Sequence, residues 1–161
     1  MTIALLSFRR GVLACLLLSA PAAAQAPATT EVPSLMVSLK RPDAAVRASA
    51  ARILGELGPA ARAALPDLIG VLKDGEHDVR QSTATAIGQI GPPAPDAVGP
   101  LAALLKDKDW QVRRAAAVSL GRLQDKQAEE PLKAARKDKN KSVSDAAQRS
   151  LSELKKIKKK K

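Results

Sequence analysis

Aromatic rings and sulfur are nearly missing from this chain. It has no Tyr, one Phe, one Trp and one Cys in 161 residues. Phe8 lies close to the start, so Trp110 is the only Phe, Tyr or Trp beyond the first eight residues. A core without rings has to be assembled from Leu, Ile, Val and Ala. Such a core suits helices that approach closely, because Ala favours the helix and leaves little bulk between axes. His77 is the single histidine, set between Glu76 and Asp78, and no Cys or second His is at hand to complete a metal site with it. No Ser–His–acid arrangement and no Gly-rich phosphate loop ahead of a helix is recognisable. The acidic residues sit where caps and turns need them. Catalysis and a bound cofactor or metal therefore have no positive sign in the sequence, and none is expected.

Charge is abundant but uneven. The formal net charge is +11. Residues 25–125 hold 12 Lys and Arg against 11 Asp and Glu, whereas residues 126–161 hold 13 against 5. The basicity belongs to the C-terminal end, and the high overall pI says little about the middle of the chain.

The first 24 residues read as an export signal. Arg9 and Arg10 supply the positive region, Gly11 to Ala20 a short apolar run, and Ala22-Ala23-Ala24 a small-residue cleavage site. Pro27 disfavours a cut after Ala26, so cleavage is expected after Ala24. The apolar run is too short for an ordinary membrane span. Val12-Leu13-Ala14-Cys15 resembles a lipoprotein box, but only four residues part Arg10 from the Cys and the apolar run continues past it. Arg9-Arg10 leaves the twin-arginine route open beside the general secretory one. The expected location is the periplasm or the exterior. Removal of the leader takes Cys15 with it and leaves a chain without disulfides or thiol chemistry.

Beyond the leader the sequence repeats every 33 residues. Val46-Arg47 recurs as Val79-Arg80 and Val112-Arg113, Gly55 as Gly88 and Gly121, and Leu39 as Leu72 and Leu105. A fixed period of this size marks a stacked-repeat solenoid. Within each unit, apolar residues fall at helical spacing in two runs. In the first unit these are Leu35, Met36 and Leu39, then Val46, Ala50, Ile53, Leu54 and Leu57. Pro33 is placed in the first turn of helix A, Asp43 caps helix B, and Gly58-Pro59 stops it. The fold class is all-α, an α-solenoid of about four stacked antiparallel helix pairs. A flexible spacer, 25–31, precedes the repeat domain, 32–154. Its units are 32–63, 64–96, 97–128 and 129–154. The fourth is degenerate: its step shortens to 31, and Arg136 stands where the others carry Leu39, Leu72 and Leu105. A polar outer side is what a terminal repeat requires. A Lys-rich tail, 155–161, expected to be solvated and mobile, closes the chain.

No ankyrin-type Thr-Pro-Leu-His turn occurs, and the aromatics of tetratricopeptide units are missing. The recurring strings VRASAARILGELG, VRQSTATAIGQIG and VRRAAAVSLGRLQ resemble the short HEAT-like repeat, including the type found in phycobilin lyase subunits. The resemblance covers about Val32 to Leu154. It implies a role for Arg47, Arg80 and Arg113: in similar repeats the Arg after Val bonds to acidic or carbonyl groups in the turns between helices. Asp43, Asp74, Glu76, Asp78, Asp107 and Asp109 are the candidate partners, and Ser144 in the fourth unit would end the ladder. The alternative is that these Arg sit on a solvated face and contribute little.

The resemblance also implies a binding surface along the second helix of each pair. Its outward positions form the rows Ala48, Gln81, Arg114; Arg52, Thr85, Val118; and Glu56, Gln89, Arg122. Partner-binding candidates are Gln81, Thr85, Gln89, Arg114, Val118, Arg122 and Trp110, the last either an exposed anchor or a shield over a junction between units. The expected function is a monomeric, non-catalytic protein-interaction scaffold of the envelope or exterior. The alternative is attraction of an anionic surface or polymer by Lys155, Lys156, Lys158, Lys159, Lys160 and Lys161. Sequence-specific nucleic-acid binding does not fit a chain without stacking aromatics. A lyase or lyase subunit is the remote third reading.

Overall fold

The computed structural model describes residues 27–158, with side chains for residues 31–156. The leader with its cleavage site and Cys15, and Lys159, Lys160 and Lys161 of the tail, lie outside the described residues.

Among the described residues eight α-helices follow one another: α1 (Pro27–Ser38), α2 (Ala44–Glu56), α3 (Leu65–Val71), α4 (His77–Ile90), α5 (Pro95–Leu104), α6 (Trp110–Leu123), α7 (Glu129–Ala135) and α8 (Lys141–Lys158). They pair as α1/α2, α3/α4, α5/α6 and α7/α8, four helical hairpins stacked in chain order. Short 3-10 segments at Gly58–Ala64 and Lys126–Ala128 lead into α3 and α7.

Local chemistry sets the helix ends. Asp43 Oδ1 accepts from the backbone N–H of Ala45 at 2.7 Å and of Val46 at 3.3 Å, so donors left over at the start of α2 are satisfied. Asp109 does the same for α6 through the N–H of Gln111 at 2.7 Å. The fourth unit uses an amide instead: Asn140 Oδ1 accepts from Ser142 N–H at 2.9 Å. At the far end, α4 stops at Gly91, whose φ of 78° suits a residue without Cβ. In the third unit Gln124 takes the same left-handed region, at φ 57°.

The apolar stripes meet in one continuous core. Leu39, Leu54, Leu68, Leu72, Ile87, Ile90, Leu101, Leu120 and Leu132 are all fully buried. Arg136 is exposed, as a capping position demands. The first unit departs from its stripe at Val46. This residue is 39% exposed, whereas Val79, Val112 and Val143 are completely buried. Helix α2 has no preceding unit in the described chain to cover that flank.

The start and the end of the array each differ in helix length from the sequence pattern. Helix α1 starts at Pro27, not after Glu31, so residues 27–31 are helical rather than a flexible spacer, and Pro33 is internal. Pro27 can serve as the opening residue because the first turn needs no N–H. Helix α8 runs on through Lys158, so Lys155, Lys156 and Lys158 are helical, with the Lys155 and Lys156 side chains exposed. Its apolar residues Leu151 and Leu154 remain buried, and they anchor the last regular turns from which the Lys residues extend.

The second helices, α2, α4, α6 and α8, lie side by side at very close range. The periodic glycines explain it. A Cβ on Gly88 would come within 2.8 Å of Ser119 Cβ and 2.9 Å of its Cα, and one on Gly121 would meet Ser150 Cα at 3.0 Å. The serines use the proximity: Ser119 Oγ donates to Ala84 O at 2.6 Å and Ser150 Oγ to Ala117 O at 2.9 Å, both buried. On the opposite side, open grooves of about 560 Å³ and 490 Å³ lie over the first helices, one between α5 and α7 and one beside α3 and the start of α5. Tight spacing on one side and open spacing on the other bends the array towards the second helices, which form its inner face.

Candidate partner-binding surface

The A–B turns carry a ladder. Arg47 Nε and Nη2 donate to Asp74 at 2.7 and 2.9 Å, and Nη1 to the carbonyls of Arg41 and Pro42 at 2.9 and 2.7 Å. Arg80 repeats the pattern with Asp107 at 2.7 and 3.0 Å and the carbonyls of Asp74 and Gly75, both at 2.8 Å. Arg113 repeats it again with Asp138 at 2.7 and 3.0 Å and the carbonyls of Asp107 and Lys108. Each Arg thus ties the turn of its own unit to the carboxylate of the next. Each carboxylate also accepts a backbone N–H two residues on, from Glu76, Asp109 and Asn140. These are bidentate, charge-assisted bonds between side chains that are mostly buried.

Protonation follows the geometry. The bonds from Arg47 and Arg113 hold Asp74 and Asp138 below the usual carboxylate range, against burial that pushes them up. At Asp107 burial pushes hardest, upward, but the Arg80 bond and the Asp109 N–H together outweigh it and the carboxyl is again lowered. The three Arg are raised by the same bonds. The six groups are charged throughout the neutral range.

On the inner face a groove of about 190 Å³ runs between α4 and α6. Gln81, Thr85, Gln111, Arg114, Ala115, Val118, Ser119 and Arg122 line it. Ala115 and Ser119 form a buried floor, Val118 is half-buried, and Arg114 and Arg122 are exposed at either end. Thr85 Oγ1 donates back to Gln81 O at 2.9 Å.

The profile of HEAT repeats matches residues 32–102 and 65–152. The chain belongs to the HEAT-repeat family. A search of curated proteins finds no match. Among solved structures this HEAT-repeat chain is similar to the complex of CpcE and CpcF of phycocyanin lyase from a Nostoc species, at 26% identity and TM-score 0.62, with 80% of each chain covered. It is similar in fold to human deoxyhypusine hydroxylase in complex with glycerol, at 24% identity and TM-score 0.63, over 82% of this chain and 46% of that one. An engineered protein gives TM-score 0.63 at 22% identity, over 77% of this chain and 62% of that one. The chain therefore spans less than two thirds of the length of the last two.

Of the residues singled out in this HEAT-repeat sequence, the groove gathers Gln81, Thr85, Arg114, Val118 and Arg122. Gln89 is exposed but lies off the groove, towards α2, where its side chain crowds Gly55. Trp110 opens α6 and is 41% exposed. It borders a separate cleft of about 270 Å³ with Lys108, Arg113, Lys139 and Asn140, at the edge formed by the turns. Four candidate ladder acids play other parts. Asp43 and Asp109 are caps, Asp78 lies 3.2 Å from His77, and Glu76 precedes α4 without a side-chain cap bond. Asp138, the third ladder acceptor, is not among the partners expected from the sequence. The signal was present as a recurring dipeptide, Lys73-Asp74, Lys106-Asp107 and Lys137-Asp138. At the fourth unit Ser144, standing where the other units place Arg, donates its Oγ–H to the single carbonyl of Arg136 at 2.8 Å, eight residues back, and not to the counterparts of the carbonyls that Arg113 holds.

Among the described residues no group of three or more His, Cys, Asp or Glu is placed to hold a metal ion, and no helix is long and apolar enough to cross a membrane.

Proposed function

We propose that this HEAT-repeat chain is a non-catalytic scaffold of the cell envelope or exterior, which binds a partner protein in the groove on its inner face. One observation carries the reading. Groove positions change chemistry from unit to unit, Gln81 to Arg114 and Thr85 to Val118, on a frame held rigid by the glycine–serine seams and the ladder. A fixed frame with varied side chains presents a specific surface without paying an ordering cost on binding.

The test is site-specific crosslinking in the native cell. A photo-reactive residue at position 118, in the groove, should capture one discrete protein. The same residue at position 103, on the exposed side of α5, should not. Equal capture from both sites, or none from 118, counts against the proposal. Location is tested separately: residues 1–24 fused to a reporter should direct export, with N-terminal sequencing of the exported full-length chain giving Gln25 first.

A second reading has its own support in the surplus of Lys and Arg after residue 125. Here Lys155, Lys156 and the Lys residues that follow attract an anionic surface or polymer. Deletion of residues 155–161 should then abolish retention, and retention should fall with rising salt. A lyase role rests on the likeness to the phycocyanin lyase complex alone, at 26% identity.

A further inference from the structure

We propose that the α4–α6 groove receives an extended acidic segment of the partner, with two carboxylates four residues apart and a small aliphatic side chain midway. This rests on the scaffold reading and specifies its ligand.

The first ground is charge without a counterpart. Arg114 and Arg122 sit at the two ends of the groove, both exposed, and neither forms an ion pair with any described residue. Elsewhere on this face Arg52 bonds Glu56 at 2.6 Å and Lys141 lies 3.2 Å from Asp145, whereas Arg149 and Glu153 are, like the two groove Arg, without an ion pair among the described residues. Asp145, Arg149 and Glu153 of α8 occupy the next row and do not line the groove. Among the described residues no carboxylate lines it, and the charges at its walls are two guanidinium groups, whose planar forks match carboxylates.

The second ground is spacing. Arg114 and Arg122 lie eight residues apart on one flank of α6, about 12 Å along the axis at ~1.5 Å per residue. An extended chain advances ~3.3 Å per residue, so side chains four residues apart are about 13 Å apart. Four is an even number, and both point to the same side of the segment. The side chain between them, two residues on, also faces the groove. It would meet Val118 and Ala115, the apolar middle. The side-chain amides of Gln81 and Gln111 on the walls bond to no described residue, which leaves them free for the backbone of the segment.

The probe is a fluorescein-labelled peptide with Glu-Ser-Val-Ser-Glu at its centre, titrated against the full chain by fluorescence polarisation. Three controls accompany it: Gln in place of both Glu, Glu residues three positions apart, and the chain without residues 155–161. The expected result is binding that weakens about tenfold for the Gln peptide and several-fold for the three-position spacing. Arg114→Gln and Arg122→Gln should each weaken it about two- to fivefold, as exposed pairs do, with helicity unchanged by circular dichroism. Loss of the tail should change little. The proposal is overturned by no binding up to about 1 mM peptide, by equal binding of both spacings, or by binding that needs the tail and ignores the two Arg. The scaffold reading fails differently. If position 118 still crosslinks its protein when both Arg are Gln, the scaffold stands and the acidic ligand falls.

Discussion

Arg80 grips both carboxylate oxygens of Asp107, 27 positions later, while its remaining nitrogen holds two carbonyls of its own turn. The relationship sets the angle between the second and third units, because the donor belongs to one hairpin and the acceptor to the next. Side-chain exposures of 9% and 8% make this the least hydrated bridge of the three together with that of Arg113. Removing one partner strands a buried charge, and losses of about 3–5 kcal/mol are usual for that. Asp107→Asn should therefore cut unfolding free energy by roughly that amount in urea titrations. Arg80→Lys should also destabilise, since an ammonium cannot reproduce the fork. The double variant Arg80→Met, Asp107→Leu should lose less than Asp107→Asn alone. Equal losses would mean that the geometry, not the stranded charge, sets the cost.

The same carboxylates make stability depend on acid. Asp74, Asp107 and Asp138 are lowered in the folded chain, while an unfolded Asp titrates near about 3.9. A carboxyl with a depressed folded pKa contributes stability that is complete above the unfolded value and is lost as pH falls through the folded one. The chain should accordingly hold its stability down to about pH 5 and lose it steeply below about pH 4. Unfolding free energies measured by urea between pH 7 and pH 2 give the slope. Asp74→Asn should start lower and fall less steeply than the native chain, having one such carboxyl fewer. An unchanged acid slope in that variant would remove Asp74 from the explanation.

How far the residues alone led is clearest at the ladder and the seam. Val-Arg at fixed steps identified the donors, because a charged residue kept in one register needs a fixed partner. The acceptor of the third was missed because the fourth unit is shorter: Asp138 follows Arg113 by 25 positions, not 27. The stripes located Leu68, Ile87, Leu101 and Leu120 in the core from helical spacing, but spacing cannot report that a terminal flank lacks a neighbour, and Val46 is exposed for that reason. Gly55, Gly88 and Gly121 stood out by period, yet their use depends on what faces them across the seam, which periodicity within one helix does not encode. The groove was half legible. Its rows follow from register, while the separation of Trp110 and Gln89 from it depends on how the units stack.

Thr83 is a local flaw in an otherwise aliphatic layer. Its side chain is fully buried and its hydroxyl has no hydrogen-bond partner among the described residues. The corresponding positions hold Ala50, Ala116 and Ala147. An unpartnered buried hydroxyl costs about 1–3 kcal/mol in lost hydration, and Val keeps the shape while deleting the polar atom. Thr83→Val should raise the unfolding free energy by about 1 kcal/mol, read as a higher urea midpoint with an unchanged slope. A lower midpoint would show that the hydroxyl is satisfied after all, by water.

Glycines in this chain should respond to one extra methyl with opposite signs. At Gly88 the new Cβ would press on the backbone and Cβ of Ser119 across the α4–α6 seam, at 2.9 and 2.8 Å. Neither atom can swing aside, so the helices must part, and overpacking of this kind costs about 1–3 kcal/mol. Separation would also stretch the Ser119 bond to Ala84 O. At Gly70, in α3, a Cβ meets nothing within 4 Å. There the methyl only restricts the unfolded chain and favours the helix, a gain of about 0.5–1 kcal/mol. Thermal unfolding of Gly88→Ala and Gly70→Ala should therefore bracket the native chain, the first melting below it and the second above. Melting of Gly88→Ala at or above the native temperature would mean that the second helices do not meet backbone to backbone, and that the inner face is not the tight side of the array.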